Sequence, residues 1–244
     1  MRDYLIALAI ATLPALGNFA GGLLSEAVRV SQRTLSFALH VAAGIVFAVV
    51  GIELMPEALT AEPAWVVVLA FVAGGGFFML VEKLIGVVRA RMGADPANAG
   101  PWVIFFGVAV DLFSDGVMIG TGSTISIGLG LLLALGQVPA DIPEGFATIA
   151  TFKNQGVPRR RRLLLAAGLM VPIFLGATVG YWAVRGQPEV VKMSLLAFTA
   201  GILTTVVVEE IVPEAHEGEE ARGATLALVG GFALFALLSV YLGG

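Results

Sequence analysis

LHVAAGIVFAVVGIELMPEA, residues 39–58, is an apolar stretch that ends on acids around a proline. At about 20 residues it is long enough to cross a bilayer as a helix. Residues 196–215, LAFTAGILTTVVVEEIVPEA, repeat it. Leu39, Ala43, Gly44, Ile45, Val49, Val50, Glu53, Pro56, Glu57 and Ala58 recur at a constant offset as Leu196, Ala200, Gly201, Ile202, Val206, Val207, Glu210, Pro213, Glu214 and Ala215. Two apolar helices of similar composition align by chance over a few residues, but the shared acidic tail E-x-x-P-E-A argues for a true repeat.

Working outward, comparable stretches fall near Tyr4–Leu24, Leu35–Leu54, Trp65–Leu80, Pro101–Ile119, Ile125–Ala150, Leu163–Val184, Met193–Val212 and Ala224–Leu242. The expectation is an all-α polytopic membrane protein with eight transmembrane helices and short connections, forming one transmembrane domain over residues 1–244. The N-terminal stretch exceeds the usual signal-peptide core and lacks a basic leader, so it reads as the first span. Composition agrees: 58% of the 244 residues are hydrophobic and 13% charged. A soluble domain carries roughly 25% charged residues because its surface meets water. There is no cysteine, which removes disulfides, thiolate metal sites and cysteine nucleophiles.

Basic residues orient the spans. Arg29 and Arg33, then Lys83, Arg89 and Arg91, then Lys153 and Arg159 to Arg162, then Arg222 follow spans one, three, five and seven. Of the 14 basic residues only Arg2, Arg185 and Lys192 fall on the other side. The positive-inside rule therefore places both termini outside the cytosol. The tetrad Arg159–Arg162 lies flush against a span and reads as a topology anchor, not a nucleic-acid patch. The multi-pass chain suits a bacterial inner membrane. In this topology span two runs outward and span seven inward, so the repeat is inverted, as in many secondary transporters. Asp115-Gly116 and Glu144-Gly145 suggest a weaker kinship between spans four and five, giving a 3+2+3 arrangement.

Spans four and five carry the chemistry. Asp111 and Asp115, at i and i+4, share one face of span four, and Asp141 and Glu144, at i and i+3, share a face of span five. A charge at the bilayer centre costs about 2.5–3.5 kcal/mol, so four unpaired cost on the order of 10 kcal/mol. Neither span holds a Lys, Arg or His to offset this. A bound divalent cation would, and Asp111, Asp115, Asp141 and Glu144 are the candidate metal ligands. Pro139 and Pro143 free backbone carbonyls beside them. Gln137 and Ser114 are candidate additional oxygen donors, and Glu209, Glu210 and His216 candidates along an ion path. Glu53, Glu57 and Glu214 sit near span ends, where a solvated helix terminus is as good a reading. Glu214, Glu217, Glu219 and Glu220 form an acidic patch with His216. His40, a lone histidine within span two, reads as an interhelical hydrogen bonder.

Three other readings of the acids stay open: protonated carboxyls joining helices, a proton relay in a transporter of another solute, and an intramembrane aspartyl enzyme. The last is the weakest, because the acids come as two close pairs. No phosphate-cradling G-x-x-x-x-G-K-[ST] run is present.

Together, eight spans, outside termini, the repeated E-x-x-P-E-A, and D-x-x-x-D-G and D-I-P-E-G on the central spans resemble the ZIP (Zrt-, Irt-like) family of metal transporters. The resemblance covers nearly the whole chain. It implies a transporter, not an enzyme, importing Zn²⁺, Mn²⁺, Fe²⁺ or Cd²⁺ as substrate toward the cytosol. It also implies a homodimer, an elevator-like movement and a binuclear metal centre. Family members carry H-N-x-x-[ED]-G on span four and [HQ]-[ED]-x-P-[HE] on span five. Here the histidine position of span four is Asp111, the following asparagine is Leu112, and the acid before glycine is Asp115. On span five the histidine or glutamine position is Ala140, the acid is Asp141, and Glu144 follows the proline. Both bridging acids are kept and the imidazoles are lost.

Overall fold

The computed structural model describes residues 1–28, 31–91, 101–216 and 223–242. Arg29, Arg222, Glu217, Glu219 and Glu220, and the side chains of Arg89 and Arg91, lie outside what is described. Eight helical rods follow one another: α1 Arg2–Ala27, α2 Gln32–Ala58, α3 Ala64–Arg91, α4 Pro101–Ile125, α5 Ile127–Asn154, α6 Arg159–Val184, α7 Glu189–His216 and α8 Ala224–Leu242. Among the described residues there is no strand. In lipid a backbone must satisfy its own polar groups, and a helix does so within one segment.

By length and composition, seven of the eight rods can cross a membrane. The one left out is α5, although it has 28 residues. Its apolar run is interrupted by Gln137, Pro139, Asp141, Pro143 and Glu144, the residues that make it chemically interesting. A single residue, Ser126, joins it to α4. The Ser126 hydroxyl caps α5 by accepting from the Leu129 N–H at 3.0 Å.

The repeated E-x-x-P-E-A acquires a shape. In α2 the turn over Val49–Leu54 widens to π-helical geometry, and in α7 the turn over Val207–Ile211 does the same. The Met55 N–H reaches back to the Val50 carbonyl, and the Val212 N–H to the Val207 carbonyl. Pro56 and Pro213 follow immediately. A proline has no N–H to give and crowds the carbonyl one turn back. One extra residue in the turn relieves that crowding and re-pairs the neighbouring groups.

The rods associate in four tight pairs: α1 with α5, α4 with α6, α3 with α7, and α2 with α8. Each pair touches backbone to backbone at glycines on both sides. A Cβ on Gly145 would stand 2.0 Å from the Asn18 carbonyl oxygen, and one on Gly21 1.9 Å from that of Ile142. Gly116 and Gly176 make the same reciprocal approach between α4 and α6, Gly74 and Gly201 between α3 and α7, and Gly44 and Gly231 between α2 and α8. Lipid offers no hydrophobic drive for helices to associate, so close packing of small residues supplies the attraction. Large apolar side chains such as Leu69, Val72 and Met79 on α3, and Leu226, Leu237 and Val240 on α8, face outward.

The basic end of α6 is partly internal. Arg162 is buried and donates through Nη2 to Glu26 Oε2 of α1 at 2.8 Å, and also to the Val157 carbonyl. Arg159 lies 3.5 Å from the same carboxylate and is itself exposed. One member of the tetrad thus ties α1 to the loop before α6.

Candidate metal centre

The α4 rod carries Asp111 and Asp115 one turn apart, and α5 brings Gln137, Asp141 and Glu144 against them. All five line one cavity of about 50 Å³, walled on the other side by α2 at Leu39, Ala42 and Val46 and by α7 from Leu203 to Glu214. At roughly 30 Å³ per liquid water, such a volume holds an ion with a water or so. Asp115 and Asp141 are each 1% exposed and Gln137 2%.

Acceptors outnumber donors here. Gln137 Nε2 donates to Asp115 Oδ1. Asn18 Nδ2, from α1, donates to Glu144 Oε2 at 3.2 Å. Asp111 Oδ1, Asp115 Oδ2, Asp141 Oδ2 and Gln137 Oε1 are buried with no hydrogen-bond partner. Among the described residues no Lys, Arg or His lines the cavity. An unpaired buried carboxylate oxygen is costly, and a hard cation satisfies several at once. The donor set, all carboxylate and amide oxygen, fits a divalent ion. Among the described residues no three His, Asp or Glu side chains already close to ligating distance on one point. The acids share a chamber without a finished coordination shell.

The other sequence candidates separate. Glu210 and Glu214 reach the cavity from α7, whereas Glu209 is exposed and does not line it. Ser114 turns away: it lines a separate apolar pocket walled by Phe77, Phe106, Phe113 and Leu175. His216 is exposed and meets His40, the two ring centroids lying 4.9 Å apart. His40 is therefore not alone, and its Nδ1 bonds within its own helix, to the Ser36 carbonyl at 2.8 Å.

Asn18 was missed. It is the one amide or charged side chain between Tyr4 and Leu24, buried to 2% exposure. The cost argument that singled out the acids applies to a mid-span amide too, more weakly.

The ZIP Zinc transporter family model matches residues 94–239, which include all of α4 to α7. Zinc transporter GufA of Myxococcus xanthus is 31% identical, over 70% of this chain and 68% of the relative. Zinc transporter ZupT of Chlorobium phaeovibrioides is 28% identical, over 97% of this chain and 98% of the relative. Zinc transporter ZIP6 of Homo sapiens is 24% identical over 57% of this chain, which spans 20% of that much longer protein.

Proposed function

The chain belongs to the ZIP zinc transporter family, and from that premise we propose that it carries divalent metal ions toward the cytosol through the cavity between α4 and α5. The observation that carries this reading is the set of buried acceptor oxygens from Asp111, Asp115, Gln137 and Asp141 that find no donor around one chamber. The transported ion supplies the missing positive charge, with Asp115 and Glu144 as its central ligands and Asp111 and Asp141 beside them. Asn18 holds the Glu144 carboxylate toward the chamber.

The spans form a 3+2+3 inverted repeat in this proposal. Gly44 and Gly201 occupy equivalent repeat positions, and each seats its helix on a partner: α2 on α8, α7 on α3. An inverted repeat exchanges those two pairs. It likewise exchanges the α1–α5 pair with α6–α4, which Gly145 and Gly116 fasten. The π-helical turns fall in matching places as well. The protein lies in the cell's inner membrane with both termini outside, and works as a homodimer like the family that it resembled in sequence.

Topology is testable because the chain has no cysteine. A cysteine placed at Arg160, which is exposed, resists a membrane-impermeant thiol reagent added to intact cells, while one at Thr60 reacts. Equal labelling at both overturns the orientation.

Ion choice follows from ligand type. Zinc prefers nitrogen and sulfur donors, and an all-oxygen site suits harder ions. The imidazole positions of the motif are Asp111 and Ala140 here. Uptake of labelled Mn²⁺ is therefore inhibited comparably by equal excesses of Mn²⁺, Fe²⁺ and Zn²⁺, and Ala140→His shifts the competition toward zinc. If zinc alone competes and Ala140→His changes nothing, ligand hardness does not set selectivity.

A further inference from the structure

His40 and His216 are the only histidines in the chain. They stand on α2 and α7 with ring centroids 4.9 Å apart and planes at 61°. His40 Nδ1 lies 2.8 Å from the Ser36 carbonyl oxygen, and His216 Nδ1 lies 2.7 Å from that of Val212. A carbonyl only accepts, so each Nδ1 carries a proton, and in the neutral ring Nε2 keeps its lone pair. That is how a metal-binding imidazole is usually held: the far N–H is anchored, and the near nitrogen is fixed as a ligand. With metal–nitrogen bonds of about 2.0–2.1 Å and a tetrahedral angle, two imidazoles on one ion have centroids about 5 Å apart.

Their place matters as much as their geometry. Leu39 and Glu214 line the acidic cavity; His40 adjoins Leu39, and His216 lies two residues past Glu214. The pair sits where α2 and α7 carry the chamber toward the predicted cytosolic end. Ser36 Oγ donates to the Ala215 carbonyl at 2.6 Å and fastens the two helices there. His40 is buried and His216 exposed, so one side of the pair faces protein and the other is open.

We propose that His40 and His216 form a second divalent-cation site, a two-imidazole station that takes the ion from the acidic chamber and gives it up to water. It rests on the reading that metal travels through that chamber. Two protein nitrogens with water completing the shell hold an ion more loosely than a closed structural site with four protein ligands. Conduction requires binding weak enough to let the ion leave.

The test uses the full chain in lipid nanodiscs with Asp115→Asn and Glu144→Gln, so that the acidic centre is weakened. One equivalent of Cu²⁺ is added, and electron spin-echo modulation reads nitrogen coordination. Any imidazole modulation arises from these two rings alone. The expected spectrum has the combination lines of two coordinated imidazoles, and His40→Gln and His216→Gln each reduce it to the single-imidazole pattern or less. His216 is exposed, so its replacement leaves the fold intact. Absence of imidazole modulation overturns the proposal, as does a spectrum unchanged by His216→Gln. Uptake by the same Asp115→Asn, Glu144→Gln protein separates the two claims. Retained uptake sinks the acidic-chamber reading, and with it the handover, even if the two-imidazole spectrum appears. Lost uptake without imidazole modulation sinks the histidine station alone.

Discussion

Asp115→Asn and Glu144→Gln each lower uptake of every divalent ion by about 100-fold or more, while Glu209→Gln changes it by about twofold at most. The first figure follows from the observation that even partners one shell out from a metal are worth about 10–100-fold; a direct carboxylate ligand is worth at least that. Both changes keep side-chain volume and remove only charge. The second figure is that of an exposed substitution away from the site, since Glu209 faces outward and lines no part of the chamber. The measurement is initial-rate uptake of labelled Mn²⁺ and Zn²⁺ into proteoliposomes, normalised to inserted protein. Wild-type rates in both carboxylate variants place transport elsewhere in the molecule.

The second large effect concerns architecture. Gly145→Val brings a Cβ to within 2.0 Å of the Asn18 carbonyl oxygen, an approach no real side chain makes. The α1–α5 pair must separate, and α5 carries Gln137, Asp141 and Glu144 of the cavity lining. Overpacking costs typically about 1–3 kcal/mol and occasionally more, which for a chain of this size is a loss of roughly 2–12 °C in unfolding midpoint. Gly76→Ala is the control, because a Cβ there meets nothing within 4 Å. Scanning fluorimetry of both variants in one detergent makes the comparison. An equal midpoint for the two denies that glycine contact holds these helices together.

Much of the candidate site's lining was readable before any coordinates, for an electrostatic reason. Charge is so costly in hydrocarbon that Asp111, Asp115, Asp141 and Glu144 stand out in apolar spans, and helical spacing alone puts each pair on one face. All four do line one cavity. The repeat was legible too, because glycine and proline mark backbone demands that few other residues meet. Its π-helical turns were not, since a widened turn depends on how the carbonyls before Pro56 and Pro213 find partners.

What failed to show was whatever depends on rotation about a helix axis or on distant pairing. Ser114 lies one residue before Asp115 and so is turned by about 100°, onto the apolar face. Glu214 looked like a helix-end carboxylate and lines the chamber. His40 read as a solitary interhelical donor, and its neighbour is a ring at the far end of the sequence. The membrane-span count fell by one at α5 because its polar and proline residues dilute its hydrophobicity.

In the proposed function a divalent cation is the missing partner of the buried carboxylates. Anomalous diffraction from crystals equilibrated with Mn²⁺ at a concentration that saturates uptake tests it most directly. The expected result is an anomalous peak between α4 and α5, within coordination distance of Asp115 and Glu144. Peaks only at outer acids or beside the histidines, with none between α4 and α5, would contradict it.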